Sequence, residues 1–178
     1  MPRRTFILQL AAICVAPVLA VSAEQGTLDA NLEPLRPWLG KTWKSGAAES
    51  GDKPKIDIAR WERALNGKAV RILHSINDGE YGGETLVTWD AAKKAVVYHY
   101  FTTAGFMTTG TMTFEGGKVM TNENVSGNAG GVTEVRGTGE ITADGTFRMK
   151  TEYFKDGKWQ PGRDASYRED AAANVIFK

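Results

Sequence analysis

From Thr42 onward, apolar and polar residues alternate along the chain with a period of two. Such alternation is typical of β-strands that bury one face. Two-residue hairpin turns are indicated where the alternation is interrupted by Asn66-Gly67, Gly116-Gly117, Asp144-Gly145 and Asp156-Gly157. These residue types favour type I′ turns, because both central residues of that turn require a positive φ. We expect looser turns at residues 77–83, 90–94, 103–106 and 127–131.

The turns divide the chain into nine or ten consecutive antiparallel strands. An open sheet of this size would leave long exposed edges, whereas closure into a barrel removes them. We therefore predict an all-β fold, a single up-and-down antiparallel β-barrel with room inside for one small ligand. A two-sheet sandwich is the competing architecture, although it usually needs longer crossovers than this chain offers.

A short N-terminal helix is predicted over residues 28–39. Its apolar positions share one helical stripe and are Leu28, Leu32, Leu35 and Leu39. Pro34 and Pro37 limit the helix to one or two short turns, and Gly40 ends it. Trp38 and Trp43 lie at the entry to the strands, where we expect them to close the base of the barrel.

The Asn66-Gly67 turn predicts which face of its hairpin lies inside. It pairs Leu65 with Lys68, Trp61 with Ile72, and Glu62 with Arg71. The Glu62–Arg71 face suits solvent, whereas the opposite face is more apolar. The predicted interior residues of this hairpin are therefore Trp61, Val70, Ile72, His74 and Ile76.

The following hairpin is harder to orient. Pairing across residues 90–94 places Thr85 opposite His99 and Val87 opposite Val97. The alternate face carries Tyr98 and Tyr100. Because residues 98–101 are aromatic on both faces, periodicity leaves open which face lines the interior.

Residues 1–23 resemble an export signal. Arg3 and Arg4 precede an apolar run over residues 6–20, and small residues at 21–23 offer a cleavage site. The run is shorter than a membrane span requires, and no later segment approaches that length. We expect a periplasmic or secreted product, residues 24–178, that forms the barrel domain and has no membrane span. Ordinary secretion is favoured over the twin-arginine route, which the Arg pair also resembles.

Composition excludes several classes of protein. The 178-residue chain has a formal net charge of +1, so it lacks the basic excess typical of nucleic-acid-binding proteins. Its single cysteine is Cys14, within the predicted signal, which excludes an internal disulfide framework. The sequence shows no metal-ligand motif, nucleophile elbow or phosphate-binding loop.

The two histidines, His74 and His99, are the strongest candidates for chemistry. The apolar neighbours of His74 predict an interior position, where it is either a satisfied core residue, a polar anchor for a ligand, a general base or an iron ligand. Tyrosines offer an apolar ring with one hydroxyl, which suits a pocket for a mostly apolar molecule. The predicted ligand-binding residues are Trp61, Ile72, His74, Tyr98, Tyr100, Phe114 and Tyr153.

Several segments resemble known barrels. The run Leu35-Arg36-Pro37-Trp38-Leu39-Gly40-Lys41-Thr42-Trp43 is similar to the entry of lipocalin-type (calycin) barrels, where a helix leads to a Gly and a Trp that plugs the closed end. Three later segments resemble bacterial lipocalin-like families of unknown function. They are Leu65-Asn66-Gly67-Lys68-Ala69-Val70, Tyr81-Gly82-Gly83-Glu84, and Thr88-Trp89-Asp90 with Lys93-Lys94. The resemblance covers most of residues 28–167 and implies a barrel that can hold a pocket.

The chain departs from those families at two points. Lipocalins proper carry Gly-x-Trp, whereas Gly40 and Trp43 are separated by two residues. Nitrobindin-type haem barrels resemble the chain in strand count, but their iron ligand is a late histidine, and no histidine follows His99 here. We therefore expect a binding protein for a small, mostly apolar molecule, without catalysis and without a cofactor. The alternatives are haem binding through His74 or His99, and an isomerase or hydrolase that uses His74.

Overall fold

A computed structural model describes residues 26–46 and 55–178. In this part of the chain a 3₁₀ helix, Ala30–Trp38, precedes ten strands. The strands are β1 (Lys41–Ser45), β2 (Asp57–Ala64), β3 (Ala69–Ile76), β4 (Tyr81–Asp90), β5 (Ala95–Thr102), β6 (Met107–Glu115), β7 (Lys118–Ser126), β8 (Val132–Ile141), β9 (Phe147–Lys155) and β10 (Lys158–Glu169). Two short 3₁₀ turns, Leu65–Gly67 and Asn77–Gly79, join β2 to β3 and β3 to β4. The export signal predicted at residues 1–23 lies outside the described residues.

The strands form one closed antiparallel barrel. Each strand pairs with the next along the chain, and β1 pairs with β10 to complete the ring. The up-and-down barrel predicted from the alternation and the turns is therefore confirmed, and the two-sheet sandwich is excluded. Within the described residues, no helix has the length and apolar character needed to cross a membrane.

The predicted register of the β2–β3 hairpin is correct along both strands. Trp61 pairs with Ile72, Ala59 with His74, and Glu62 with Arg71. The Arg71 guanidinium contacts the Glu62 carboxylate at 3.2 Å on the outer face. Only the turn differs, because it spans four residues, and Leu65 and Asn66 both have positive φ. Pairing therefore starts at Ala64–Ala69 rather than at Leu65–Lys68.

The predicted register of the β4–β5 hairpin is wrong by one residue. Thr85 pairs with Tyr100 and Val87 with Tyr98, because the connection between Asp90 and Ala95 has four residues. A shift of one residue exchanges the two faces of a strand. Tyr98 and Tyr100 consequently face the interior, and His99 is exposed on the outer surface.

Two of the four predicted two-residue turns are confirmed. Gly116-Gly117 and Asp156-Gly157 have positive φ at both positions and join strands paired up to the turn. Asp144-Gly145 instead lies in a five-residue loop between Ile141 and Phe147. The Asp144 carboxylate accepts hydrogen bonds from Thr142 Oγ1 and Thr146 Oγ1, at 2.5 and 2.8 Å, which closes this wider loop.

The N-terminal helix closes one end of the barrel. It is a 3₁₀ helix, which has three residues per turn, and its buried side chains Leu32, Leu35 and Trp38 follow that period. The Asp29 side chain caps the helix by accepting from the Asn31 amide at 3.0 Å. Trp43, buried at 1% exposure, donates from its indole to the Trp38 carbonyl oxygen at 3.4 Å. Both tryptophans thus belong to the base, as predicted.

Candidate functional site

A cavity of about 230 Å³ lies inside the barrel. One part of its wall is apolar and includes Trp61, Phe147 and the base residue Trp38, whose rings pack with centroids 5.8–6.1 Å apart. Another part carries Asp57, His74, Tyr100, Glu123 and Arg163. A cavity that combines apolar walls with a few convergent polar groups is the usual form of a small-molecule site.

Asp57 is the most heavily bonded polar residue of the cavity. Its Oδ2 accepts from Arg163 Nη1 at 2.5 Å and from the Tyr167 hydroxyl at 2.8 Å, while its Oδ1 lies 3.1 Å from His74 Nδ1. Its backbone N–H donates to Ser45 Oγ at 2.8 Å, which fixes the first residue of β2 against β1. Burial alone would raise the pKa of Asp57, but these three partners together hold that pKa below its ordinary value.

A chain of hydrogen bonds links Asp57 on β2 to side chains on β3, β4 and β5. His74 Nε2 lies 2.7 Å from the Tyr100 hydroxyl, which in turn lies 2.7 Å from the Tyr81 hydroxyl. Because the ionised Asp57 can only accept, His74 Nδ1 carries a hydrogen. In the tautomer with no hydrogen on Nε2, this nitrogen accepts from Tyr100, and Tyr100 accepts from Tyr81. With a hydrogen on both ring nitrogens the direction reverses, since Nε2–H donates to Tyr100.

Strand register and one glycine bring the residues of this hydrogen-bonded chain together. Ala59 lies opposite His74 on β2, and Gly83 lies opposite it on β4. A Cβ atom at Gly83 would lie 2.5 Å from Cε2 of Tyr100, so only glycine leaves room for the tyrosine ring to lie over β4. The ring can therefore reach across β4 to His74 on β3.

Glu123 is a second carboxyl group of the cavity wall, half-buried and with different neighbours. It lies on β7, opposite Gly110 and Val135, and its Oε2 accepts from Thr108 Oγ1 at 2.6 Å. No lysine, arginine or histidine within the described ranges forms an ion pair with it. Burial raises the pKa of Glu123, and the Thr108 and Tyr98 hydroxyls offset only part of that rise.

The two interior tyrosines of β5 remain protonated. Burial raises the pKa of Tyr98, and the nearby Glu123 charge raises it further. Burial likewise raises the pKa of Tyr100, with Tyr81 as the next cause. Both hydroxyls therefore act as hydrogen-bonding groups and not as anions. Among the described residues, the Tyr98 hydroxyl makes no close hydrogen bond, although Thr121 and Glu123 lie near enough to affect its pKa.

Five of the seven predicted ligand-binding residues line the cavity. They are Trp61, Ile72, His74, Tyr98 and Tyr100. Phe114 packs against the core instead, and neither it nor Tyr153 belongs to the cavity wall. Tyr153 pairs with Val135 and Gln160 near the C-terminal end of β9, where its ring lies beside Gly162. Trp38 lines the cavity in addition to closing the base.

Sequence reasoning missed three charged residues of the site: Asp57, Glu123 and Arg163. A signal for Asp57 was present, because it shares the alternating face of Ala59 and Trp61. A carboxylate on an apolar face needs a partner inside. Arg163 is 106 residues away along the chain, and only barrel closure brings it to Asp57.

The two histidines differ in their surroundings, which bear on whether either could bind a metal ion or haem iron. Both ring nitrogens of His74 are engaged, by Asp57 and by Tyr100, so iron ligation would require breaking one of these bonds. His99 lies on the outer face and stacks on Phe101 with ring centroids 6.4 Å apart. Within residues 26–46 and 55–178, no group of three or more His, Cys, Asp or Glu residues is arranged to hold a metal ion.

The comparisons with known proteins add no family to this description. No protein-family model matches the chain, and no curated protein matches it either.

Proposed function

We propose that the protein binds one small, mostly apolar molecule inside the barrel, in the manner of lipocalin-like proteins. The observation that carries the proposal is the interior cavity of about 230 Å³, with its aromatic walls and its few polar groups. A cavity of about 150 Å³ accommodates benzene, so this one suits a single ring with a short substituent. The closed barrel, the preceding helix and the buried Trp43 support membership of a lipocalin-like family.

The polar wall would orient the ligand. Its ring would pack against Trp61 and Phe147, where burial of apolar surface contributes about 25 cal/mol per Å². A polar substituent would face the His74–Tyr100 pair, which is held rigidly by Asp57. A preorganised anchor of this kind lowers the entropic cost of binding.

A matched pair of substitutions tests the proposal. Thr85 lines the cavity, whereas Thr111 is exposed on the outer face of β6. We expect Thr85→Leu to fill part of the cavity and to abolish the thermal stabilisation given by single-ring probes such as propylbenzene and 2-phenylethanol. Thr111→Leu should retain it. Failure of the unmodified protein to bind any such probe, by thermal shift and native mass spectrometry, would refute ligand binding.

The Asp57–His74–Tyr100 chain favours a second candidate function. A histidine held by a carboxylate and bonded to a hydroxyl can act as a general acid–base group. The protein would then be an isomerase for a small apolar carbonyl compound. His74 Nε2 would remove the proton from the carbon between the carbonyl group and the double bond and return it to the far carbon of that bond, while the Tyr100 hydroxyl donates a hydrogen bond to the carbonyl oxygen. Isomerisation of 3-cyclohexenone to 2-cyclohexenone, followed by ultraviolet absorbance, tests this function. It requires turnover by the unmodified protein and loss of turnover in both His74→Gln and Tyr100→Phe.

We also propose that the protein is exported and that residues 1–23 are removed. The support is the sequence pattern of two arginines, an apolar run and small residues at 21–23. The mature chain would then contain no cysteine, which suits an oxidising compartment. The intact mass of the protein isolated from its own cell envelope tests this, since a mature chain that retains residues 1–23 would contradict cleavage.

A further inference from the structure

The two carboxyl groups of the cavity differ in how their charge is balanced. Asp57 is paired with the Arg163 guanidinium and contacts the His74 imidazole. Glu123 accepts from the neutral Thr108 hydroxyl and has the neutral Tyr98 hydroxyl nearby, but no cationic side chain of the described residues pairs with it. The Asp57 carboxylate is therefore paired with a cation, whereas a Glu123 carboxylate is not.

The surroundings of Glu123 offer no alternative compensation. The titratable groups whose protonation Glu123 influences are Tyr98, Tyr100 and Tyr81, all neutral hydroxyls. On the neighbouring strands, Glu123 pairs with Gly110 of β6 and Val135 of β8, which carry no charge. A carboxylate withdrawn from water without a cation is costly, and this cost raises the pKa of Glu123.

We propose that the ligand is a small, mostly apolar amine whose ammonium group pairs with Glu123. This inference rests on the proposed function and adds the chemical class of the ligand. The ammonium would supply the missing cation, and charge-assisted hydrogen bonds are among the stronger polar contacts. The ring of the amine would pack on the aromatic wall formed by Trp61 and Phe147. The Tyr98 hydroxyl, which lies near Glu123, would accept a second ammonium hydrogen.

Proton balance gives the proposal a specific signature. Where Glu123 is protonated in the empty protein, binding of an ammonium ion displaces the carboxyl proton to solvent. Calorimetric titrations in two buffers with different ionisation enthalpies measure this release on the unmodified protein. We expect the release per amine bound to increase as the pH falls toward the pKa of Glu123, and no release for a neutral ligand of the same shape.

Isothermal titration calorimetry of the full chain with three probes tests the inference. The probes are 2-phenylethylamine, 2-phenylethanol and phenylacetate, which share a ring and differ in the charge of the substituent. We expect the amine to bind about tenfold or more tightly than the alcohol, and phenylacetate to bind weakest. Glu123→Gln should remove the preference for the amine, because it keeps the shape and removes the charge. Glu134→Gln, at an exposed position of β8, is the matched control and should keep it.

The outcomes distinguish failure of the amine proposal from failure of the proposed binding of a small, mostly apolar molecule. Equal binding of amine and alcohol by the unmodified protein would overturn the amine ligand and leave apolar binding intact. Preference for phenylacetate would also overturn it and would indicate Arg163 as the anchor. Binding of no probe would count against both. If Glu123→Gln does not fold, the pH series of proton release on the unmodified protein decides, since absence of release at every pH contradicts the pairing.

Discussion

At the scale of single residues, Asp57 and Glu123 show how neighbours determine the behaviour of a buried carboxyl group. Asp57 is 3% exposed, yet its pKa is lowered, because His74, Arg163 and Tyr167 all stabilise the anion. Glu123 is half-buried, but the hydroxyls beside it, Thr108 and Tyr98, are neutral and its pKa is raised. Asp57 is therefore a structural anion, whereas Glu123 can exchange a proton or a cation.

Glu123 is predicted to reduce stability as the pH rises. A group whose pKa is higher in the folded state stabilises it below the unfolded pKa, and that contribution is lost as the pH rises through the folded pKa. We therefore expect Glu123→Gln to raise Tm relative to the unmodified protein at pH 8 and to change it little near pH 4. The gain should be several degrees, since about 1 kcal/mol shifts Tm by about 2–4 °C at this chain length. Differential scanning calorimetry at both pH values measures it.

The exposed Glu134 provides the control for this prediction. Glu134→Gln on β8 should leave the pH dependence of Tm unchanged. An equal shift in Tm for Glu123→Gln at pH 4 and pH 8 would contradict a raised pKa at Glu123.

The Asp57–Arg163 pair is predicted to show strong energetic coupling. Asp57→Asn leaves the Arg163 guanidinium without its anion, and breaking a buried ion pair costs about 3–5 kcal/mol. Adding Arg163→Met should cost far less than the sum of the single changes, because neither charge is then left unpaired. Urea unfolding of the two single variants and the double variant gives the coupling free energy.

The exposed Lys150–Asp164 pair on the outer face serves as a comparison. Its side chains are 69% and 67% exposed, so Asp164→Asn should change stability little. If the effects of Asp57→Asn and Arg163→Met simply add, the buried pair does not act as a unit.

The sequence predicted the apolar part of the site better than its charged part. Trp61, Ile72 and His74 could be placed inside because the hairpin register follows from a local turn. The pairing of Asp57 with Arg163 could not be predicted, because it depends on closure of the ring between the first and last strands. Glu123 has Asn122 and Asn124 as sequence neighbours, so no apolar pattern marks it as an interior residue.

At the scale of elements, turn chemistry determined how well each hairpin could be predicted. Gly116-Gly117 allows positive φ at both positions, and the strands pair up to the turn as predicted. The two-residue turn predicted at Asp144-Gly145 is wrong, because the Asp144 carboxylate accepts from the hydroxyls of Thr142 and Thr146 and stabilises a wider loop. Side-chain hydrogen bonds that compete with a tight turn are not visible in the dipeptide itself.

Leu35 is predicted to be essential for the base of the barrel. It is fully buried in the 3₁₀ helix that closes this end, and truncation of a buried leucine costs about 2–5 kcal/mol. We expect Leu35→Ala to lower the free energy of unfolding by that amount in urea titrations followed by tryptophan fluorescence. Pro34→Ala, on the exposed face of the same helix, should change it by about 1 kcal/mol or less. Similar losses in both variants would mean that the helix does not seal the core.

At the scale of the whole molecule, pairing of the first and last strands closes the barrel and makes the cavity possible. This closing pair is also the least extensive strand pairing of the barrel. β1 and β10 pair only over Trp43–Ser45 and Tyr167–Glu169, whereas β6 and β7 pair from Met107–Ser126 to Glu115–Lys118. This β1–β10 seam contains Ser45, whose Oγ accepts from the Asp57 backbone amide, and Tyr167, whose hydroxyl donates to the Asp57 carboxylate. The polar site therefore depends on the strand pairing with the shortest register in the barrel.

Hydrogen exchange should reveal this seam as the first part of the barrel to open. Local opening costs less free energy where fewer hydrogen bonds must break, so we expect the amides of β1 to be about tenfold or more less protected than those of β6 and β7. Mass spectrometry of peptides from the native protein measures the difference. A bound single-ring ligand should slow exchange in β1, because the ligand binds only the closed barrel that aligns Asp57 with Arg163. Uniform protection around the ring, unchanged by ligand, would contradict coupling between the seam and the cavity.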